Sequence, residues 1–208
     1  MSTTHPFDEA IALAPAGHHQ YSGTTSPAYA NMVGPFGGVT AAAVLNAVLQ
    51  HPDLLGEPVA LTVNFAAALA DGPFTVTARP VRTNRSTQHW VMAITQPDAN
   101  GASSTVLTAT AVTAARRDTW SVDDAQAPDV ASPEAVGRPN MAPLVEWVRR
   151  YDIRIAEGRI PTEWDSAGDG SRTTLWVRDE PVRPLDFTSL TAMADVFFPR
   201  VWLRRATR

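Results

Sequence analysis

Residues 39–50 read Val-Thr-Ala-Ala-Ala-Val-Leu-Asn-Ala-Val-Leu-Gln, and only Thr40, Asn46 and Gln50 among them are polar. The Ala and Leu content predicts a helix. A helix with no solvated face has to be enclosed on most sides. This run therefore demands a surrounding layer and excludes an open, extended arrangement. Gly34-Pro35-Phe36-Gly37-Gly38 breaks the chain ahead of it, and His51-Pro52-Asp53 ends it.

A similar run returns near the end: Leu190-Thr191-Ala192-Met193-Ala194-Asp195-Val196-Phe197-Phe198. Laid over Gly37 to Asn46, it sets Asp195 on Asn46. Burying a lone carboxylate is costly unless it is paired, hydrogen-bonded or neutralised. The pattern reads as a duplicated unit in which only the second copy carries an acid, and Asp195 is the leading candidate for a chemical role.

Four strand-like segments follow the first helix: Pro58 to Leu69, Pro73 to Thr83, Thr87 to Gln96 and Ser104 to Arg116. Alternation is clear in Phe74-Thr75-Val76-Thr77-Ala78-Arg79, and turn residues such as Asp71-Gly72-Pro73 and Asn84-Arg85-Ser86 join them. Consecutive strands with short turns predict an antiparallel meander, and one buried helix against it gives an α+β layer. Phe7 to Leu13 and His19 to Gly23 read as two short strands ahead of that helix. Residues 118–143, rich in Asp and Pro, read as an exposed connector. Val145 to Ala156 and Thr173 to Arg178 are strand candidates, and a helix is expected over 187–198. The order strand, strand, helix thus occurs twice, giving units 1–118 and 144–208 joined by 119–143. The second unit has no strands after its helix to cover it. Either roughly 70 to 90 further residues, by analogy with the first unit, or another chain would supply the cover; the former is the expectation.

Composition narrows the function. The chain has 208 residues, a net charge of −4 and 44% hydrophobic residues, enough for a substantial core and unlike a generic nucleic-acid binder. It has no Cys, so neither disulfide nor thiolate chemistry is available. All 17 basic side chains are Arg, which removes Schiff-base chemistry and the P-loop lysine. No cofactor is implied. His18-His19 has no partner at metal-ligand spacing, so no metal site is expected. No apolar stretch is long enough to span a bilayer, and Met1 to Glu9 lacks the pattern of a signal peptide. The expectation is a cytoplasmic protein that binds neither membrane nor nucleic acid.

Gly37-Gly38 opening an Ala-rich helix, the strand Leu61-Thr62-Val63-Asn64-Phe65, Asn84-Arg85-Ser86 before a strand ending in Gln96, and Pro184-Leu185-Asp186-Phe187 leading to Asp195 together resemble the acyl-CoA thioesterase family of type II. The resemblance implies a double hotdog, two copies of an antiparallel sheet wrapped around a long helix, with the second copy incomplete here. It implies acyl-CoA as substrate, hydrolysed to free acid and CoA, and a homo-oligomer. Asp195 matches the family's water-activating Asp. The accompanying Ser or Thr and Gln would fall after residue 208. Gly37 and Gly38 would let substrate approach the helix N-terminus, and Arg85 would contact CoA phosphates. Trp176, Phe197, Phe198 and Trp202 are candidate acyl-chain walls. Two competing readings keep the fold: a hydratase or dehydratase on acyl thioesters, which would need a His beside the acid, and a non-catalytic protein that binds acyl thioesters or serves in assembly.

Overall fold

The computed structural model of the protein describes residues 4–138, 145–161, 163–168 and 170–206. The chain runs through helix α1 (Pro6–Ala10), strands β1 (Ala14–Gly17) and β2 (Gln20–Thr24), and helix α2 (Gly37–Leu49). Strands β3 (Glu57–Phe65), β4 (Pro73–Thr83), β5 (Thr87–Pro97) and β6 (Ser103–Ala114) follow. After a long exposed stretch come helix α3 (Pro133–Val136), strands β7 (Tyr151–Glu157) and β8 (Thr174–Asp179), and helices α4 (Phe187–Met193) and α5 (Val201–Arg205).

Helix α2 is enclosed as its composition requires. Ten of its residues are buried, and the inward positions of three strands face it: Phe74, Val76 and Ala78 on β4, Trp90, Met92 and Ile94 on β5, Leu107, Ala109 and Ala111 on β6. Burying a side chain of the size of Ile94 or Leu107 stabilises the fold by about 2 kcal/mol. Asn46 donates to the Ile11 carbonyl at 2.8 Å, which gives it a structural role.

The six-stranded antiparallel sheet has the order β1-β2-β4-β5-β6-β3. Only β4, β5 and β6 form the expected meander; β3 lies at the edge beside β6, not next to β4. Gly56 permits this placement. It has φ +73°, and a Cβ there would lie 2.1 Å from the Ala114 carbonyl oxygen, so only glycine brings the chain onto the β6 edge. The segment from Ala66 to Gly72 then crosses the open end of the sheet back to β4.

Three other expectations are corrected. Phe7 to Leu13 is not a strand: its buried residues Phe7, Ala10 and Ile11 have helical spacing, and Pro6 with the cap from His5 Nδ1 starts a short helix instead. Val145 to Ala156 opens as a 3-10 turn over Glu146–Arg150 that stacks Trp147 on Phe36, with ring centroids 4.2 Å apart, before β7 begins. The second apolar helix stops at Met193 and does not reach residue 198.

At the C-terminal end of α2, the buried His51 accepts the Asp53 N–H on Nδ1, so its proton sits on Nε2, which faces His19 Nδ1 at 2.6 Å. Burial, then the neighbouring His19 and His18, hold its pKa below the ordinary value, and Asp53 only partly opposes them. A histidine with a lowered folded-state pKa contributes stability that is present above the unfolded value of 6.5 and is lost as pH falls below it. Wild-type melting temperature is expected to fall between pH 7 and pH 5, and to fall less in His51→Asn. Equal slopes in thermal melts of the two proteins would contradict this.

Candidate active site

Helix α4 is fastened before it delivers its acid. Asp186 caps it, accepting the Ser189 N–H at 2.8 Å and the Thr188 hydroxyl at 2.7 Å, and Arg183 donates to the same carboxylate. Burial opposes ionisation of Asp186, but these donors outweigh it and bring its pKa down to about 2. The Ser189 hydroxyl donates to the buried Asp179 at the end of β8, whose own pKa burial pushes up. One face of α4 packs on α2, where Ala192 and Met193 join the core.

Just beyond α4, the Asp195 and Val196 N–H groups bond to Ala192 and Met193, and the turn aims Asp195 at the first turn of α2. Helix α2 has no side-chain cap of its own, because Phe36 occupies that position. The Asp195 carboxylate lies against this end of α2, where the Gly38 N–H favours its ionised form. A carboxylate at a helix N-terminus is favoured both by the exposed N–H groups and by the helix dipole.

Asp195 is solvent-accessible as a residue, not buried inside a helix as its apolar neighbours suggested. Its Oδ2 lies against the first turn of α2. A Cβ on Gly37 would lie 2.7 Å from Asp195 Oδ2 and 3.3 Å from the Phe65 ring. The desolvated end raises the Asp195 pKa, and the Gly38 N–H partly restrains that rise. Such an acid is a better proton acceptor than an ordinary Asp.

Gly37 and Phe65 also line a cavity of about 260 Å³ between the Val33–Pro35 loop, Thr40 and the crossing segment Ala66–Leu69, with Val106 and Leu107 behind. The expected walls Trp176, Phe197, Phe198 and Trp202 do not line it. Trp176 instead donates to the Ala131 carbonyl, and Phe197 and Phe198 lie under the Arg200 guanidinium. Thr40, Phe65 and the alanines at 66–68 were missed as site residues. Their only signal in the sequence is a small-residue run after a strand, which is too common to be informative.

Of the sequence-derived site residues, Asp195, Gly37 and Gly38 converge. Arg85 does not join them within one chain. It lies in the β4–β5 turn, beside Gln88, which binds Asp53 and Leu55 just past the C-terminal end of α2. The 13-residue helix separates that end from Gly37 by about 20 Å. His18, His19 and His51 gather at this far end as well. Among the described residues no group of three or more His, Cys, Asp or Glu could hold a metal ion, and no helix is long and apolar enough to cross a membrane.

A sheet wrapped on one buried helix, followed by a second helix-bearing unit that meets the first at its helix N-terminus, defines a double hotdog protein. Residues 26–114 match the acyl-CoA thioesterase N-terminal domain and residues 121–208 the acyl-CoA thioesterase C-terminal domain, so the chain belongs to the acyl-CoA thioesterase family. A conserved protein of unknown function with a hotdog fold from Alicyclobacillus acidocaldarius is similar at 44% identity and a TM-score of 0.89, over 99% of this chain and 74% of that one. The tesB protein of Mycobacterium avium subs paratuberculosis shares the fold at 18% identity and a TM-score of 0.75, over 98% of this chain and 75% of that one. An acyl-CoA thioesterase II from Mycobacterium marinum does so at 18% identity and a TM-score of 0.68, over 92% and 69%. Comparison with curated proteins gives no match.

Proposed function

We propose that the protein hydrolyses acyl-CoA thioesters to the free acid and CoA, with Asp195 as the general base. The observation that carries this reading is the placement of the Asp195 carboxylate at the N-terminal turn of α2, 2.7 Å from where a Cβ on Gly37 would lie, with Gly37 itself lining an apolar cavity. A water beside Asp195 gives its proton to the carboxylate as its oxygen attacks the thioester carbonyl. The tetrahedral intermediate then expels the thiolate, which takes the proton back from Asp195 and leaves as CoA. The positive end of α2 favours the negative charge that develops on the carbonyl oxygen.

In this reading residues 1–118 and 144–208 are the two hotdog units and 119–143 their connector. Gly37, which lines the cavity, admits the substrate, while the buried Gly38 lets α4 pack closely on α2. Arg85, about 20 Å from Gly37 along α2, would meet the phosphates of a CoA whose thioester lies at Asp195, from the same chain or from a second copy in a homo-oligomer. The position of β3 at the sheet edge supports such assembly. A hydratase would need a His beside the acid. His18, His19 and His51 stand at the opposite end of α2, His5 caps α1 and His89 is exposed on β5.

The test is release of free thiol from acyl-CoA, followed with a chromogenic thiol reagent, alongside 3-hydroxyacyl-CoA dehydration. Thiol release without dehydration is expected. Dehydration alone would replace the hydrolase reading, and binding without turnover would leave a carrier.

A further inference from the structure

Helix α4 presents Asp195 just past its C-terminal end, and little in α4 itself fixes its direction. It has seven residues, too few for a helix to be stable alone. One face packs on α2 through Ala192 and Met193, while Leu190 is 54% exposed. Where α4 points therefore depends on how its first turn is tied down.

The tie is made by Arg183, and it reaches into the first unit. The Arg183 side chain is 12% exposed. Its Nη2 donates to Asp186 Oδ2, on the residue that caps α4, and to Asp8 Oδ1 on α1, each at 2.8 Å. Its guanidinium lies over the buried Phe7 ring, 5.0 Å from the centroid. His5 adds a further contact. Its Nδ1 accepts the Phe7 N–H, so its proton sits on Nε2 and goes to the Pro181 carbonyl at 2.8 Å. Helix α1 is in turn fastened to α2, because Asn46 donates to the carbonyl of Ile11 at its C-terminal end. The links close a ring: α2 holds α1, α1 holds Arg183, Arg183 holds the cap of α4, and α4 sets Asp195 against the first turn of α2.

This cluster is a poor way to gain stability. Three carboxylates, Asp8, Asp179 and Asp186, face one guanidinium. Among the described residues, Asp179 Oδ1 and Arg183 Nη1 are buried without a hydrogen-bond partner, and Nη1 stands 3.9 Å from Asp179 Oδ2. Buried unpaired polar atoms and unmatched charge cost free energy that apolar packing would not. What a planar guanidinium supplies is geometry, since it fixes the acids it bridges relative to one another.

We infer that Arg183 is a positioning residue for the reaction at Asp195: by bridging α1 to the cap of α4, it holds Asp195 against the first turn of α2. The inference rests on the hydrolase reading for what Asp195 does, and adds how the first unit keeps it in place.

Two variants test it. Arg183→Met keeps much of the side-chain length. Asp8→Ala cuts only the link to α1, at a partly exposed helix position that suits alanine. A misplacement of about 1 Å costs up to roughly 100-fold in rate, so kcat on an acyl-CoA is expected to fall about 10- to 100-fold in Arg183→Met and about 3- to 10-fold in Asp8→Ala, with KM within about threefold. The acid limb of the kcat/KM profile should move to higher pH in both, because a carboxylate that leaves the Gly38 N–H loses a group that favours its ionised form. A merely structural role would lower the melting temperature and leave that limb where it is. Unchanged kcat and an unmoved limb in Asp8→Ala would overturn the inference, even if Arg183→Met fails to fold. Hydrogen exchange of the amides of residues 187–196 reads the tie without turnover: faster exchange in Asp8→Ala supports it, and unchanged exchange overturns it. If the wild type releases thiol from no acyl-CoA, the hydrolase reading fails, and the exchange result alone decides whether Arg183 fixes the segment that carries Asp195.

Discussion

Asp195→Asn is expected to lower kcat by about 10²- to 10⁴-fold, the range for loss of a general base, while the protein stays folded. The amide keeps the size of the side chain and can still lie against the Gly38 N–H, as the carboxylate does now. Stability should not suffer. Burial raises the folded-state pKa of Asp195 above the ordinary value of 3.8, so the unfolded chain ionises first as pH rises. Stability from this group therefore declines with pH through the window that starts near 3.8, and Asn removes that decline. A melting temperature at pH 7 equal to or above wild type is expected. In the wild type, kcat/KM should fall on acidification through a pKa above 3.8. Steady-state kinetics and thermal melts of the pair decide the matter: a variant that keeps more than a tenth of wild-type kcat would exclude Asp195 as the base.

The neighbouring glycines should separate catalysis from stability. In Gly38→Ala the new Cβ would sit 2.5 Å from the Ala192 carbonyl oxygen and 2.5 Å from the Phe36 ring. The first of these is backbone, so α4 has to move off α2. Overpacking of this kind costs about 1–3 kcal/mol, which lowers the melting temperature by roughly 3–10 °C in a chain of this size. In Gly37→Ala the new methyl meets the ends of two side chains, Asp195 and Phe65, and these can swing aside. The fold is expected to survive, with activity down at least tenfold because the carboxylate is displaced. Full activity in Gly37→Ala would mean that the reaction does not use this position of Asp195. An unchanged melting temperature in Gly38→Ala would contradict the close approach of the two helices.

Much of the fold could be read locally. Helix α2 was legible because an apolar run of that length with Ala and Leu has few other solutions. Strands β4, β5 and β6 were legible because alternation and turn residues are signals within a dozen positions. Phe7 to Ile11 was misread because a few residues fit both periods, and the buried set Phe7, Ala10 and Ile11 is decided by what covers it. The edge position of β3 was hidden for a related reason. Its partner β6 lies some fifty residues away, and the glycine that allows the pairing looks like any other turn residue.

The site divides in the same way. The residues alone singled out an acid in an apolar context, a Gly-Gly pair opening a buried helix, and the order of elements shared with a thioesterase family. They did not show that the acid lies at the N-terminal turn of that helix, or that Ala66 to Leu69 wall a cavity next to Gly37. They also did not show that Arg85 stands at the other end of α2. Composition and periodicity record the environment of a residue along its own element, since burial and turn geometry act over a few positions. Which helix end meets which acid depends on surfaces packed across long sequence separations, here α4 on α2 and the crossing segment on Val106, and that free energy is distributed over many contacts with no local signature.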